Sequence, residues 1–597
     1  MTAPYKQGVY DMNIEFCDNP VVRTVCKPEA ALLRLDGRAC ESRASVTLTN
    51  TGDRPVAVRE VALLAVALPA DAVHATLYAE GYSMLSQYAG TLGSPQCITP
   101  YSDALHYRMP QTEGCHTVYN LLLLELGPGD WLLLGYASCR RFRGEFRLRG
   151  TRIEATLACE DIALLPGETW TLEDLVAQRG PDREALLDTL SQRIAANHPR
   201  LPVAQVPTGW CSWYCYGPEV TEEDIFENLD AIAATMPGLR YVQIDDGYQA
   251  FMGDWLDPGD SFSSDMSGLC KAIRERGLEP AIWLAPFIAE EKSRLFRTHP
   301  EWFVMDDEGN PLRSDRVTFG GWNRGPWYML DCTHPGARAY IAKVVAAMRE
   351  QWGCFYFKLD ATMWGALPFG RRHNSRATSI EAYRLGMQAV LEGAGAGGFL
   401  LGCNAPMWGS LGAVHAMRVT GDIVRNWPVI RSLARECFHR NWQHGRLWVN
   451  DPDCVVLENQ MEETSEPGGK ALTRVTPDEF SFHAAYIAAS GGMVLSGDRI
   501  GRLSAQSRDI LNKLLQNGGT AARFEDAEFA VGRAQTACGQ IVSLFNWDDE
   551  PKELSFSLDR PCDVSDFFTD EPYGLQEGQF VARNMPPHSG RVFRIRL

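Results

Sequence analysis

The sequence predicts an α/β protein, with a central (β/α)8 TIM barrel flanked by an N-terminal β-sandwich and a small C-terminal antiparallel β-domain. From about residue 205, apolar runs alternate with polar segments and amphipathic helices, a rhythm typical of parallel βα units. Before and after this region the chain has only short β-rich runs separated by turn residues. Because 597 residues exceed the size of one hydrophobic core, several domains are expected.

These changes of pattern predict three domains. Residues 1–200 form a β-sandwich that ends in a helical linker, residues 201–508 form the barrel and residues 509–597 form the C-terminal β-domain. The first domain contains the runs LLLLEL and WLLLGYA on either side of a Gly-Pro-Gly-Asp turn, which predicts a hairpin. In the last domain, QIVSLFNW, ELSFSL and GRVFRIRL are short alternating runs.

Eight candidate barrel strands can be counted. They are TGWCSWY, YVQIDDG, PAIWLAP, YFKLDAT, FLLGCNAP, MRVTGDI, LWVNDPD and MVLSGDR. Helix signals lie between them: Thr221 with Asp224 predicts a capping box, and Gly277 is placed to end the next helix. The segment after PAIWLAP is too long for one helix and predicts a long loop at the rim of the barrel.

Composition excludes some partners. A net charge of −18 repels phosphate backbones and anionic membrane surfaces, so we expect neither nucleic acid nor membrane as a partner. The first residues do not have a secretory signal pattern, and we expect a soluble, cytoplasmic protein. The 17 cysteines contain no CxxC pair and are expected to be reduced thiols. The sequence leaves open whether the chain forms a homo-oligomer.

The C-terminal ends of the predicted strands are rich in acidic residues. In a TIM barrel these ends converge on one face, so the side chains share a pocket. Each Asp alone could be a helix N-cap, but seven on one rim favour a binding site. Carboxylates accept paired hydrogen bonds from neighbouring hydroxyls and aromatic rings cover apolar CH faces, which predicts a small carbohydrate substrate. The acids are Asp245, Asp246, Asp360, Asp422, Asp451, Asp453 and Asp498, and their neighbours are Trp210, Trp213, Tyr214, Trp283 and Asn404.

No metal and no cofactor are predicted. The first strand contains no His, whereas metal-dependent barrel hydrolases need His ligands there. The four acids Asp245, Asp246, Asp451 and Asp453 could hold a cation, but few neutral oxygen ligands accompany them.

Cleavage of a glycosidic bond needs two carboxyl groups, and Asp360 and Asp422 are the candidates. Lys358 lies two residues before Asp360 and therefore on the same face, where its ammonium would keep Asp360 ionised as the nucleophile. The alternative is a structural ion pair. Asp422 would be the acid/base, protonated through partial burial among aromatic residues, unless it is an N-cap.

Two further residues line the predicted pocket. Arg418, four residues before Asp422, could bridge to Asp360 or to a sugar hydroxyl, although a lone Arg is more often in a structural pair. Cys403 has no catalytic His beside it in the sequence, so we interpret it as a small pocket-lining residue and not as a nucleophile.

An ordered set of strings across residues 207–455 resembles glycoside hydrolase family 36 and, more distantly, family 27. The strings are GWCSWY, QIDDGYQ, GDWL, IWLAPF, HPEWFV, FKLD, GALPFGRR, LGCNAP, MRVTGD and WVNDPDC. The resemblance implies a retaining mechanism with Asp360 as nucleophile and Asp422 as acid/base. It also implies that Asp245 and Asp246 bind the C4 and C6 hydroxyls of galactose. It further implies that Lys358 and Arg418 contact ring hydroxyls, and that Trp213, Trp283 and Cys403 form pocket walls.

One segment departs from the family. Many relatives carry a GYQSW-like loop that inserts a Trp into the site, whereas this chain has GYSMLS, with Leu85 at that place. The change alters the edge of the pocket and bears on the preference for galactose.

The expected activity is that of a retaining, exo-acting glycoside hydrolase that releases terminal α-linked galactose. The alternatives are an α-N-acetylgalactosaminidase, a raffinose-synthase-like galactosyl transferase and a sugar-binding protein without catalytic activity. The sequence does not show the group accepted at C2, the aglycone or the linkage.

Overall fold

The computed structural model describes residues 21–24, 32–40, 43–263, 265–463, 470–516, 519–536 and 539–596. The chain packs into two compact units. One comprises Met1–Glu80, Tyr88–Gln96 and Gln111–Leu186, and the other comprises Gly81–Gln87, Cys97–Pro110 and Leu187–Leu597. The predicted boundaries at residues 200 and 508 stay a prediction.

The first unit is built on antiparallel β-structure. Thirteen strands are joined in one branched antiparallel network, at the place where the sequence predicts the N-terminal β-sandwich. The expected hairpin is present, with Gly127 paired to Asp130 across the turn and Gly129 at a φ of 67° that favours glycine. The strands are Val21–Thr24, Leu33–Cys40, Arg43–Asn50, Val56–Ala67, Thr76–Glu80, Gln87–Thr91, Ser94–Cys97, His116–Gly127, Asp130–Tyr136, Arg143–Arg149, Arg152–Leu164, Thr169–Thr171 and Leu175–Gly180.

The second unit contains a parallel eight-stranded sheet, as the sequence predicts. Its strands are β1 (Thr208–Cys211), β2 (Tyr241–Ile244), β3 (Glu279–Leu284), β4 (Tyr356–Leu359), β5 (Phe399–Gly402), β6 (Ala416–Arg418), β7 (Val449–Asp451) and β8 (Val494–Ser496). Strand β1 pairs with both β2 and β8. An isolated parallel bridge between Val455 and Ser496 links β7 to β8, so the sheet is a nearly closed barrel.

Helices cover most crossovers between these strands. The predicted capping box at Thr221 and Asp224 is present, and Gly277 has the left-handed φ of 77° expected just after a helix end. Between β5 and β6 the chain forms only the short 3-10 turn Trp408–Ser410. The α-helices of the described residues are Asp103–His106, Arg183–Asn197, Trp213–Tyr216, Glu222–Thr235, Met266–Glu275, Arg294–Thr298, Pro335–Ala347, Ser379–Ala394, Trp427–Arg440, Pro477–Ser490 and Ala505–Leu515.

The C-terminal part is a six-stranded antiparallel sheet with its own apolar core, in which Val542, Leu544 and Phe593 are fully buried. It packs on the barrel helices, where the ring centroid of Phe545 lies 5.0 Å from those of both Phe438 and Phe482. Its strands are Arg523–Phe524, Val531–Thr536, Gly539–Asn546, Lys552–Asp566, Pro572–Met585 and Ser589–Arg596. The predicted C-terminal antiparallel domain is confirmed.

Two small hairpins and several short helical turns complete the described residues. The hairpins pair Ile288–Ala289 with Tyr328–Met329 and Met461–Glu463 with Lys470–Leu472. Across the described ranges, no helix combines the length and apolar character needed to cross a membrane.

Candidate active site

Asp360 lies in a buried position directly after β4. Its Oδ2 accepts a hydrogen bond from the indole of Trp283 (3.1 Å), and its Oδ1 accepts one from the backbone N–H of Ala361 (2.6 Å). Burial raises the pKa of Asp360, and the opposing effects of Lys358 and of these two donors only partly offset it. One N–H on each oxygen fixes the orientation of this carboxyl group.

Lys358 forms a buried ion pair with Asp245. Its ammonium donates to Oδ2 of Asp245 at 2.9 Å, and both side chains are buried. Although burial works to lower it, the charge of Asp245 raises the pKa of Lys358 well above its ordinary value. The charge of Lys358 also works to lower the pKa of Asp360, while its ion pair is with Asp245. Side chains from β2 and β4 face each other here, and β2 supplies the partner.

Asp245 and Asp246 are adjacent but have separate environments. Asp245 also accepts a hydrogen bond from Gln243 (2.7 Å), which together with Lys358 stabilises its charge. Asp246 accepts from Gln249 at 2.6 Å and from Asn323 at 3.4 Å. Burial raises the pKa of Asp246 to about 6.

The long third loop of the barrel reaches this part of the site. It contributes Asn323, which donates to Asp246, and Trp322, whose side chain works to lower the pKa of that carboxyl group. Trp322 is 38% exposed, so a large part of its ring is free to cover a ligand.

One network of hydrogen bonds and ion pairs joins Asp422 to Arg418, Tyr214 and Asp453. Arg418 is 1% exposed and its Nη2 lies 2.8 Å from Asp422 and 2.6 Å from Asp453. The hydroxyl of Tyr214 is 2.5 Å from Asp453 and 3.3 Å from Asp422. Burial raises the pKa of Asp453 to about 7, against the lowering effect of Arg418.

The surroundings of Asp422 differ from those expected. Its side chain is 63% exposed, whereas the sequence argument expected partial burial among aromatic residues. Strand β6 ends at Arg418, so Asp422 lies four residues into the following loop and outside the packed interior. The same loop places Asn426, and not Asp422, as the N-cap of the helix Trp427–Arg440.

The remaining acidic strand ends have structural roles. The side chain of Asp451 accepts the backbone N–H of Asp453 at 3.0 Å. Asp498 pairs with buried Arg425 at 2.8 Å and accepts the N–H of Leu457 at 2.7 Å. These contacts make Asp498 part of the scaffold.

Cys403 and Asn404 follow β5 and reach the site from another side. Burial raises the pKa of the Cys403 thiol well above its ordinary value, which agrees with a pocket-lining role. Asn404 adopts a left-handed φ of 47° and accepts a hydrogen bond from Tyr107 at 2.8 Å. Trp213 is half-buried in the short helix Trp213–Tyr216.

Two segments that precede the barrel in sequence, Gly81–Gln87 and Cys97–Pro110, pack with it. The family resemblance places the first at the edge of the pocket, and the sequence does not mark the second. The backbone N–H groups of Tyr82 and Ser83 donate to buried Asp103 at 2.7 and 3.0 Å. Met84 in turn donates to the carbonyl of Ala405 at 2.9 Å. Leu85, at the position of the family Trp, is 8% exposed. Tyr107 comes from the second segment, where no periodic pattern marks it.

Comparisons with known proteins agree with this architecture. The melibiase family model matches residues 211–395, which include β2 to β4 and Asp360. The "A type blood alpha-D-galactosamine galactosaminidase" of Flavonifractor plautii is 30% identical over 200 residues, covering 32% of this chain and 18% of that protein. The chain therefore spans about a fifth of the length of this curated relative.

Solved structures of similar fold cover much more of the chain. An α-galactosidase from Thermus thermophilus, solved with p-nitrophenyl α-D-galactopyranoside, has a TM-score of 0.63 and 24% identity over 86% of this chain and 98% of that one. The family 36 α-galactosidase AgaA from Geobacillus stearothermophilus has a TM-score of 0.65 and 12% identity, and the match covers 96% of this chain and 84% of that one. These likenesses concern the fold. The melibiase match adds a resemblance in sequence over residues 211–395.

Proposed function

We propose that the chain is a retaining, exo-acting glycoside hydrolase that releases terminal α-linked galactose. The observation that carries the proposal is the contrast between two carboxyl groups on one rim. Asp360 is buried and held by one N–H on each oxygen, whereas Asp422 is exposed beside an Arg and a Tyr. A buried, fixed carboxylate suits attack on the sugar, and an exposed one suits proton exchange with the leaving group and with water.

The proposed reaction has two steps. In the first step an Asp360 oxygen bonds to the anomeric carbon while the bond to the aglycone oxygen breaks and Asp422 gives that oxygen its proton. In the second step Asp422 takes a proton from water, whose oxygen attacks the anomeric carbon and frees Asp360. Two displacements retain the configuration of the anomeric carbon.

Asp246 and Lys358 offer an acceptor and a donor for the sugar hydroxyls. Asp246 offers carboxylate oxygens next to the exposed ring of Trp322. Lys358 uses one of its three N–H donors on Asp245, which leaves others for a ring hydroxyl. Such a set suits a neutral sugar better than an anion. The walls of the sugar pocket would be completed by Cys403, Asn404, Trp213 and Trp283.

The test is a panel of p-nitrophenyl α-glycosides of galactose, galactosamine, N-acetylgalactosamine and glucose, with the anomer of the first product followed by NMR. We expect turnover of the galactoside with retention. Asp360→Ala should remove turnover, and inverted product or an active Asp360→Ala would contradict the mechanism.

The amino-sugar arms of the panel address a second candidate. The relative from Flavonifractor plautii is named for a galactosamine substrate, so a preference for a nitrogen at C2 is the alternative. A transferase would form new oligosaccharides when a second sugar is added as acceptor, and a binding protein would show no turnover at all.

A further inference from the structure

We propose that Asp453 and Tyr214 are positioning residues for the acid/base Asp422, a role that rests on the proposed function. Neither residue would touch the sugar. Their role would be to hold the exposed carboxyl group of Asp422 where it can protonate the leaving oxygen.

The geometry centres on one oxygen of Asp453. Its Oδ2 receives the hydroxyl of Tyr214 at 2.5 Å, Nη2 of Arg418 at 2.6 Å and the backbone N–H of Ile423 at 2.6 Å. The first two donors are the same groups that contact Oδ1 of Asp422, at 3.3 and 2.8 Å. The third is the backbone of the residue that follows Asp422. Asp453 therefore fixes both the side-chain partners of Asp422 and its main chain.

Asp422 needs such support because its own surroundings supply little. With 63% of its side chain exposed, packing does not select one rotamer. A misplacement of about 1 Å can cost a reaction about 100-fold, so an acid on a loop depends on the groups that hold it.

The backbone of Asp453 is itself held in place. It has a left-handed φ of 76°, and its N–H donates to Oδ1 of buried Asp451 at 3.0 Å. A conformation of this kind persists where the surrounding contacts impose it. The anchor of the acid/base thus belongs to the rigid end of β7, while Asp422 belongs to the loop after β6.

The alternative is that Asp453 is only a buried structural partner of Arg418. Asp498 is the matched case: it is equally buried, pairs with the buried Arg425 at 2.8 Å and accepts one backbone N–H. Asp498→Asn therefore measures what the loss of such a pair costs at a carboxyl group that itself contacts neither Asp422 nor the Tyr214 hydroxyl.

The experiment compares two galactosides that differ in the need for an acid. The p-nitrophenoxide group leaves without full protonation, whereas the sugar alkoxide of melibiose requires it. We measure kcat/KM, which reports the first displacement, for the wild type, Asp453→Asn, Tyr214→Phe and Asp498→Asn. Because general acid catalysis contributes about 10²–10⁴-fold, Asp453→Asn should lower kcat/KM for melibiose by about 10–100-fold and for the aryl galactoside by less than about fivefold.

The remaining variants separate the outcomes. Tyr214→Phe should also lower kcat/KM more for melibiose than for the aryl galactoside, but by a smaller factor than Asp453→Asn. If Asp453→Asn does not fold, Tyr214→Phe is the deciding variant. Asp498→Asn should lower kcat/KM for both substrates by the same factor. If Asp453→Asn and Tyr214→Phe also lower kcat/KM for melibiose and for the aryl galactoside by the same factor, the positioning role is overturned. A wild type that turns over neither substrate would instead contradict the proposed function.

Discussion

At the scale of single residues, Asp246 couples the site to pH. Its carboxyl group releases its proton near pH 6 in the folded chain because burial disfavours the anion, whereas an Asp in an unfolded chain does so near about pH 4. Between these values the folded state binds more protons than the unfolded state. The free energy of unfolding contributed by this group therefore falls as the pH rises from about 4 to about 6.

This difference predicts the behaviour of Asp246→Asn. The substitution should remove a pH-dependent penalty of about 2–3 kcal/mol, the equivalent of two pKa units. Urea denaturation of the two proteins from pH 4 to pH 7 tests it. The wild type should lose stability relative to the variant over this range, and parallel curves would contradict the assignment. A sugar contact at Asp246 would also raise KM in the variant.

Lys358 leads to a second prediction at this scale. Removing its ammonium leaves the buried carboxylate of Asp245 without its cation, and breaking a buried pair costs about 3–5 kcal/mol. Lys358→Met should therefore lower both the free energy of unfolding and kcat/KM. The exposed pair of Lys271 and Glu275 supplies the control, because Lys271→Met should change stability by less than about 1 kcal/mol. An equal effect of the two substitutions would contradict the buried pair.

The sequence predicts which residues reach the site better than it predicts their partners. Alternation along β4 places Lys358 and Asp360 on one face, but the partner of Lys358 comes from β2 and depends on how the strands are staggered. The exposure of Asp422 follows from the path of a loop, which has no periodic signal. The sequence places Tyr214 and Asp453 on the rim, but it does not predict their mutual contact, which joins residues 239 positions apart.

At the scale of elements, the segment Gly81–Gln87 depends on Asp103. Two backbone N–H groups of this segment donate to its buried carboxyl group, and buried Arg440 donates to the carbonyls of Met84 and Ser86. The strands of the barrel were predictable from their apolar runs and polar ends. The family resemblance places this segment at the edge of the pocket, but its contacts are not predictable from its residues, because main-chain atoms that any sequence supplies make them.

Asp103→Asn should therefore loosen the segment. An Asn has one acceptor oxygen and an NH2 group, so at least one of the two backbone donors loses its partner, at a cost of about 1–3 kcal/mol. Hydrogen exchange of residues 82–84 should accelerate, and KM for an aryl galactoside should rise.

Asp526 provides the matched control for this loop. Its carboxyl group also accepts several backbone N–H groups, those of Glu528, Ala530 and Val531, but it lies in the C-terminal part of the chain. Asp526→Asn should lower stability without changing KM. If Asp103→Asn leaves both hydrogen exchange and KM unchanged, the segment does not depend on this carboxyl group.

At the scale of the whole molecule, the barrel and the C-terminal sheet belong to one compact unit. An aromatic cluster joins them, in which Phe545 of the sheet meets Phe438 and Phe482 of two barrel helices. One of these helices, Pro477–Ser490, lies between β7 and β8, where the barrel closes. Loss of the cluster should therefore weaken the barrel as well as the sheet.

Phe545→Ala tests this coupling. Phe545 is 1% exposed, and truncation of a buried Phe costs about 3–5 kcal/mol. We expect one urea transition, shifted to lower concentration, in which Trp fluorescence and turnover are lost together. Leu575 lies on the same sheet but is 70% exposed, so Leu575→Ala should lower the free energy of unfolding by less than about 0.5 kcal/mol. If Phe545→Ala instead produces an early fluorescence transition that leaves turnover intact, the sheet unfolds on its own. The barrel would then not depend on it.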